Sequence, residues 1–154
     1  MEQRKELKVS AIKNGTVIDH IPAKVLFKVL TVLELHKIDT QITFGSNFDS
    51  KKLGKKGIIK ISEKYPDTTD INKISIIAPE AHINIIKDYK VVEKAQVDTP
   101  EKIEKIIKCF NPKCITNHEN VLTKFKVLKN NGEVALKCNY CEKITEQENF
   151  VIVK

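Results

Sequence analysis

Residues 109–120, "CFNPKCITNHEN", and residues 137–143, "KCNYCEK", hold all four cysteines of the 154-residue chain. Four residues separate Cys109 from Cys114, two separate Cys138 from Cys141, and 23 lie between the pairs. Two close pairs on two turns can bring four sulfurs to the corners of a tetrahedron, the geometry of structural zinc. A closed shell of four thiolates leaves no position for water, so such an ion serves the fold and not a reaction. Iron in a rubredoxin-like site is the remaining alternative. A redox pair is disfavoured, because Cys138-Asn139-Tyr140-Cys141 borders no βαβ unit of thioredoxin type. His118 reads as a surface residue of the first loop.

Around the cysteines the chain reads as short strands only. "VLTKFKVL" (121–128) and "EVALKC" (133–138) flank "KNNG", where Asn131-Gly132 is a strong hairpin signal, and "NFVIV" (149–153) supplies a last strand. So short a segment, with few large apolar residues, draws folding free energy from its metal. "VDTPEKIEK" (97–105) reads as a connector in which Thr99-Pro100 opens a turn of helix. The expected division is therefore 1–100 and 101–154, each with its own core.

Upstream, residues 7–97 alternate strands and helices. "LKVSAI" (7–12) alternates as a half-buried strand, and "PAKVLFKVLTVLELH" (22–36) is a well-buried helix with one polar stripe. "TQITFGSNF" (40–48) and "GIIKIS" (57–62) are strands joined by a Gly/Lys loop. "TTDINKISIIAPE" (68–80) is a helix ending at Pro79, and "HINIIKDYKVVEKAQV" (82–97) is a strand, a turn and a strand. The order is that of a ferredoxin-like, split βαβ (βαββαβ) domain in an α+β protein. Its antiparallel sheet carries helices on one face and leaves the other open.

The net charge of +7 raises nucleic acid as a partner, but Arg4 is the only arginine and Trp is absent. Bidentate reading of guanine and aromatic stacking are thus poorly served, and a lysine-rich solvated surface is expected instead. The single arginine also disfavours a phosphate-loop enzyme of acylphosphatase type, and no Ser-His-Asp or paired-carboxylate pattern stands out. The charged N-terminus has no secretory apolar core and no run of about 18 apolar residues occurs, so a cytoplasmic chain without a membrane span is expected.

In "NGTVIDHIPA" (14–23), Asn14-Gly15 makes a turn and Asp19-His20 stand just before the helix, a setting that suits an anion. Lys56, Lys60 and Lys94 can neutralise phosphates nearby, since one sheet can gather their strands. This stretch, with "GKKGIIKI" (54–61), "INIIKDYKVVEK" (83–94) and the two cysteine knuckles, resembles the regulatory chain of aspartate carbamoyltransferase over nearly the whole length. It departs at Gly57, where relatives usually carry an acidic residue, and at His82, where a small polar one is usual; both are expected to flank the site.

The resemblance implies a non-catalytic subunit of pyrimidine biosynthesis. Its N-terminal domain would bind CTP as inhibitor and ATP as activator, with UTP assisting CTP in some members, and would pair regulatory chains into homodimers. The zinc ribbon, with one Zn2+ on Cys109, Cys114, Cys138 and Cys141, would dock on the catalytic chain in an assembly of six regulatory and six catalytic chains. Residue by residue, Val9, Ser10, Ala11 and Ile12 lie near base and ribose. Asp19 matches a ribose contact, His20 a phosphate contact, and Lys60 and Lys94 hold ribose or phosphate with Lys56 close by. Asn84, Ile86, Tyr89 and Val91 complete the base pocket.

Overall fold

The computed structural model describes residues 11–130 and 132–153. Its first half is a five-stranded antiparallel sheet built from β1 (Gly15–Pro22), β2 (Ile42–Ser50), β3 (Gly54–Ser62), β4 (His82–Lys87) and β5 (Lys90–Gln96). The strands lie in the order β2-β3-β1-β4-β5. Helices α1 (Leu26–Val32) and α2 (Thr68–Ile77) connect β1 to β2 and β3 to β4. This is the ferredoxin-like arrangement with β5 added outside β4.

Alternation decides which sheet face meets the helices. Ile18, Ile59 and Ile83 are buried neighbours across β1, β3 and β4, and they join Leu26 and Val29 of α1 and Ile74 and Ile77 of α2 in one apolar cluster. Thr16 shares that face despite its hydroxyl, which donates to the Lys64 carbonyl at 2.6 Å. Helix α2 starts as expected. Asp67 caps the Asp70 N–H at 2.8 Å, while the Asp70 carboxylate accepts from the Asp67 N–H at 3.2 Å, which satisfies two otherwise orphaned donors. The β4–β5 turn places Asp88 and Tyr89 at φ 52° and 64°, the left-handed pair of a tight hairpin.

The second half is a four-stranded antiparallel sheet, β6 (Lys102–Glu104), β7 (Lys124–Asn130), β8 (Glu133–Cys138) and β9 (Ile144–Glu146), in sequence order. Gly132, at φ 81°, sits in the β7–β8 hairpin; its expected partner Asn131 lies outside the described residues. This half rests against the helix layer. Clefts of about 480 and 550 Å3 run along the seam, lined by Thr31, Val32 and Lys73 facing Ile106 and Ile152, and by Lys28 and Glu80 facing Val134 and Gln147. The helices thus lie between the ribbon and the first sheet, and among the described residues no helix or strand packs over the far face of that sheet.

Several expectations are corrected. The strand expected at 7–12 does not extend through Ala11 and Ile12, which belong to no strand, and Leu7–Ser10 lie outside the described residues. The first described strand is β1, which begins at Gly15. The long helix expected at 22–36 is broken into a 3-10 turn (Ala23–Val25), α1, and a second 3-10 turn (Leu35–Lys37). The Thr31 hydroxyl bonds back to the Phe27 carbonyl, and Glu34 enters the left-handed region at φ 53°, which ends the helix. Phe27 is 66% exposed.

No turn of helix follows Thr99-Pro100; β6 forms instead because Ile103 pairs with Phe125 and is buried. "NFVIV" makes a single bridge, Ile152 with Ile107, rather than a strand. Nor are the two cores separate. Ile76, Ala81 and Val97 belong to the same buried cluster as Ile103, Val134, Leu136 and Phe150.

Candidate anion-binding face and metal centre

The ribbon positions its thiols through backbone turns. The Asn117 amide donates to the carbonyls of Cys109 at 3.0 Å and Asn111 at 2.8 Å, clasping the first knuckle. The second knuckle leaves β8 at Cys138, where the Tyr140 N–H points at Cys138 Sγ (3.4 Å) and Glu142 takes φ 64° to turn the chain back. Cys109 Sγ and Cys141 Sγ are 3.6 Å apart, and Cys114 Sγ and Cys138 Sγ 3.7 Å. All four sulfurs lie within 4.8 Å of one another.

A tetrahedron with metal–sulfur bonds of about 2.3 Å has edges of about 3.8 Å, so the four thiols fit one ion. None is in a disulfide. Burial pushes the Cys109 thiol far above its ordinary range and raises Cys138 as well. Burial also acts on Cys141, but there it is outweighed by hydrogen bonding from Lys143 and Asn111 and by the neighbouring thiols, so the group falls to about 7. A cation at the centre would hold all four as thiolates.

The open face of the first sheet collects the other predicted residues. Lys60, Val17, Asn84 and Lys94 are cross-strand partners in one row over β3, β1, β4 and β5, so Lys60 and Lys94 stand roughly 14 Å apart on the backbone. One end of this face is apolar. Buried Ile86 pairs with exposed Val91, next to Tyr89, which is 66% exposed at the turn. The segment before β1 joins this end, with Lys13 accepting from the Tyr89 N–H at 2.9 Å and Asn14 from the Asp88 N–H at 3.1 Å. Ala11 and Ile12 lead into it; Val9 and Ser10 lie outside the described residues.

The other end is charged. Pairing of β1 with β3 breaks after Ile18 and resumes at Ile21 opposite Gly57, so Asp19 and His20 together oppose Ile58. With His20 at φ 60°, this bulge aims both side chains to the open face. They therefore sit on a strand bulge rather than directly before a helix, because the 3-10 turn intervenes. Lys56 Nζ lies 3.0 Å from Asp19 Oδ1. Burial holds the His20 imidazole below its ordinary value, an effect that Asp19 opposes and Lys56, His82 and Lys52 reinforce. Burial likewise lowers Lys60.

Of the two departures, only His82 lies on this face; it pairs with Asp19 and stacks on His20. Gly57 points the other way. A Cβ there would lie 2.8 Å from Leu26 Cδ1, so its small size admits α1. Sequence reasoning did not count Val17 or His82 among the site residues, and alternation from Asp19 would have found Val17. An apolar cleft of about 280 Å3 bordered by Ile38, Ile61 and Tyr65 lies on the helix side and holds none of the residues expected to bind nucleotide.

Fold and site define a two-domain α+β protein with a four-cysteine metal ribbon. The family model for the aspartate carbamoyltransferase regulatory chain, allosteric domain, matches residues 7–98. The model for the metal binding domain of the same chain matches residues 101–151. The chain is 51% identical over 152 residues to the aspartate carbamoyltransferase regulatory chain of Bacteroides fragilis, covering 99% of each. It is 50% identical over 148 residues to that of Pyrococcus horikoshii, covering 95% of this chain and 97% of the relative. The chain belongs to the family of aspartate carbamoyltransferase regulatory chains. It is a regulatory, non-catalytic subunit of that enzyme.

Proposed function

We propose that the open sheet face binds CTP as an inhibitor and ATP as an activator at one shared site, with UTP assisting CTP. The observation that carries this reading is the gradient along that face. It runs from apolar Ile86, Tyr89 and Val91, through Lys60, Asn84 and Lys94, to charged Asp19, His20 and Lys56. The apolar end suits a base, and the polar and charged rows suit ribose and phosphates. Asp19 holds ribose, His20 a phosphate, and Lys60 and Lys94 ribose or phosphate, while Ala11 and Ile12 lie near base and ribose.

The ion on Cys109, Cys114, Cys138 and Cys141 is zinc, one per chain, in keeping with a buried all-thiolate shell. Residues 1–100 carry the nucleotide and residues 101–154 dock on the catalytic chain, for which exposed Phe110, Ile115 and Tyr140 of the ribbon offer apolar contact. Regulatory chains pair as homodimers, and six join six catalytic chains in the cytoplasm. CTP and ATP regulate by binding the low- and high-activity quaternary states with unequal affinity.

Calorimetric titration of the assembled enzyme tests this reading. CTP should bind, and saturating ATP should suppress its heat; two nucleotides binding independently would overturn the shared site.

A further inference from the structure

The His20 and His82 rings lie face to face, with centroids 4.4 Å apart and planes 20° from parallel. The buried Nδ1 of His20 has no hydrogen-bond partner, and the nearest carboxylate oxygen, Asp19 Oδ2, is 3.6 Å away. We infer that this stacked pair is a proton-linked clamp for the polyphosphate end of the ligand, with His82 as an added binding residue. The inference rests on the nucleotide reading above.

The charges around the pair give the mechanism its sign. From β1 comes Asp19, already paired with Lys56 of β3. From the β2–β3 hairpin comes Lys52, paired at 3.0 Å with Glu80 just before β4. From β5 the residue opposite His82 is neutral Gln96, and one row along stand Lys60 and Lys94. Asp19 and Glu80 are each matched by a lysine, and Lys56, His82 and Lys52 all disfavour imidazolium at His20. Two imidazolium rings in face contact would repel each other, and burial with the neighbouring cations already holds His20 below its ordinary value.

A polyphosphate reverses this balance. Its negative charge lies over the exposed edges of both rings and favours imidazolium, each ring then donating two N–H groups. The empty-state value of His20 lies below the ordinary value of about 6.5, and the bound-state value is raised, so binding takes up protons. Affinity then strengthens as pH falls from about 8 towards 6, by at most about ten-fold per pH unit for each proton. Replacing His82 removes one of the two groups that can accept a proton and halves the steepest slope.

The test uses the full metal-replete chain and inorganic tripolyphosphate, which has phosphates but no base. Proton NMR should show the His20 and His82 signals titrating at higher pH when tripolyphosphate is present. His36 and His118, both exposed and away from the sheet face, serve as controls and should not move. His82→Gln should weaken tripolyphosphate several-fold at pH 6.5, change little at pH 8.5, and reduce the protons taken up. Binding without a shift at His82, or an unchanged pH slope in His82→Gln, overturns the clamp. If CTP binds and tripolyphosphate does not, the clamp is wrong and the nucleotide reading stands. If neither binds, both fall.

Discussion

Gln147 of the ribbon donates from Nε2 to the Ile77 carbonyl at the end of α2, 3.3 Å away, and accepts the Val134 N–H at its Oε1, also at 3.3 Å. One side chain thus ties the last turn of a helix in the first half to a strand of the second. Gln147→Ala should leave both groups without this partner, at a cost of about 1–3 kcal/mol. Denaturant unfolding should read the loss. Calorimetry should find CTP affinity intact with weakened inhibition; full inhibition in a destabilised variant would remove Gln147 from the coupling route.

Gly57 makes a prediction opposite in kind. A Cβ there falls 2.8 Å from Leu26 Cδ1 and 3.2 Å from the Gly45 carbonyl. Gly57→Ala should therefore lower stability by about 1–3 kcal/mol through overpacking, with effector affinity changed far less. The check is thermal unfolding beside a CTP titration. A variant of normal stability and altered affinity would put Gly57 back in the site.

Lys94 stands in the middle row of the open face, paired with Asn84. Lys94→Ala should weaken CTP and ATP alike, by about ten-fold or more, since a charge-assisted contact is lost and no base contact is touched. Unchanged CTP affinity would refute its role at ribose or phosphate.

Metal removal bears on both halves. Treating the assembled enzyme with a thiol reagent should release the catalytic chain still active and end CTP control. Because Ile76, Ala81 and Val97 share one cluster with Ile103 and Phe150, loss of the ribbon should also lower the melting temperature of the first half. A melting temperature for residues 1–100 that ignores metal loss would mean the shared cluster contributes nothing.

The parts of this fold that were legible in the sequence are those set by local chemistry. Two cysteine pairs announced the ribbon, a Thr/Asp start announced α2, and "KDYK" announced the β4–β5 turn. Where local signals conflicted, the reading failed. Asp19, His20 and Pro22 look like the edge of a helix, yet Gly15–Pro22 forms the central strand. A bulge and a buried hydroxyl bonded to Lys64 make that possible. The row Lys60–Val17–Asn84–Lys94 depends on the register of four strands, which no single segment encodes. Phe27, on the same helix stripe as Lys24, Lys28 and Thr31, is exposed and meets Phe44 edge-on.

The central place of β1 sets a timetable for the newborn chain. Gly15 must find Ser62 on one side and Ile86 on the other, so the strand made first among those described waits longest for its neighbours. At the usual 5–20 residues per second on the ribosome, the wait for β4 is roughly 4–14 s. The whole first sheet has been synthesised by Gln96, before Cys109 exists. All five strands of the sheet are thus made before the first cysteine, and the knuckle that closes on Cys141 comes last. Any ion that the four cysteines hold can be enclosed only once Cys141 has been made.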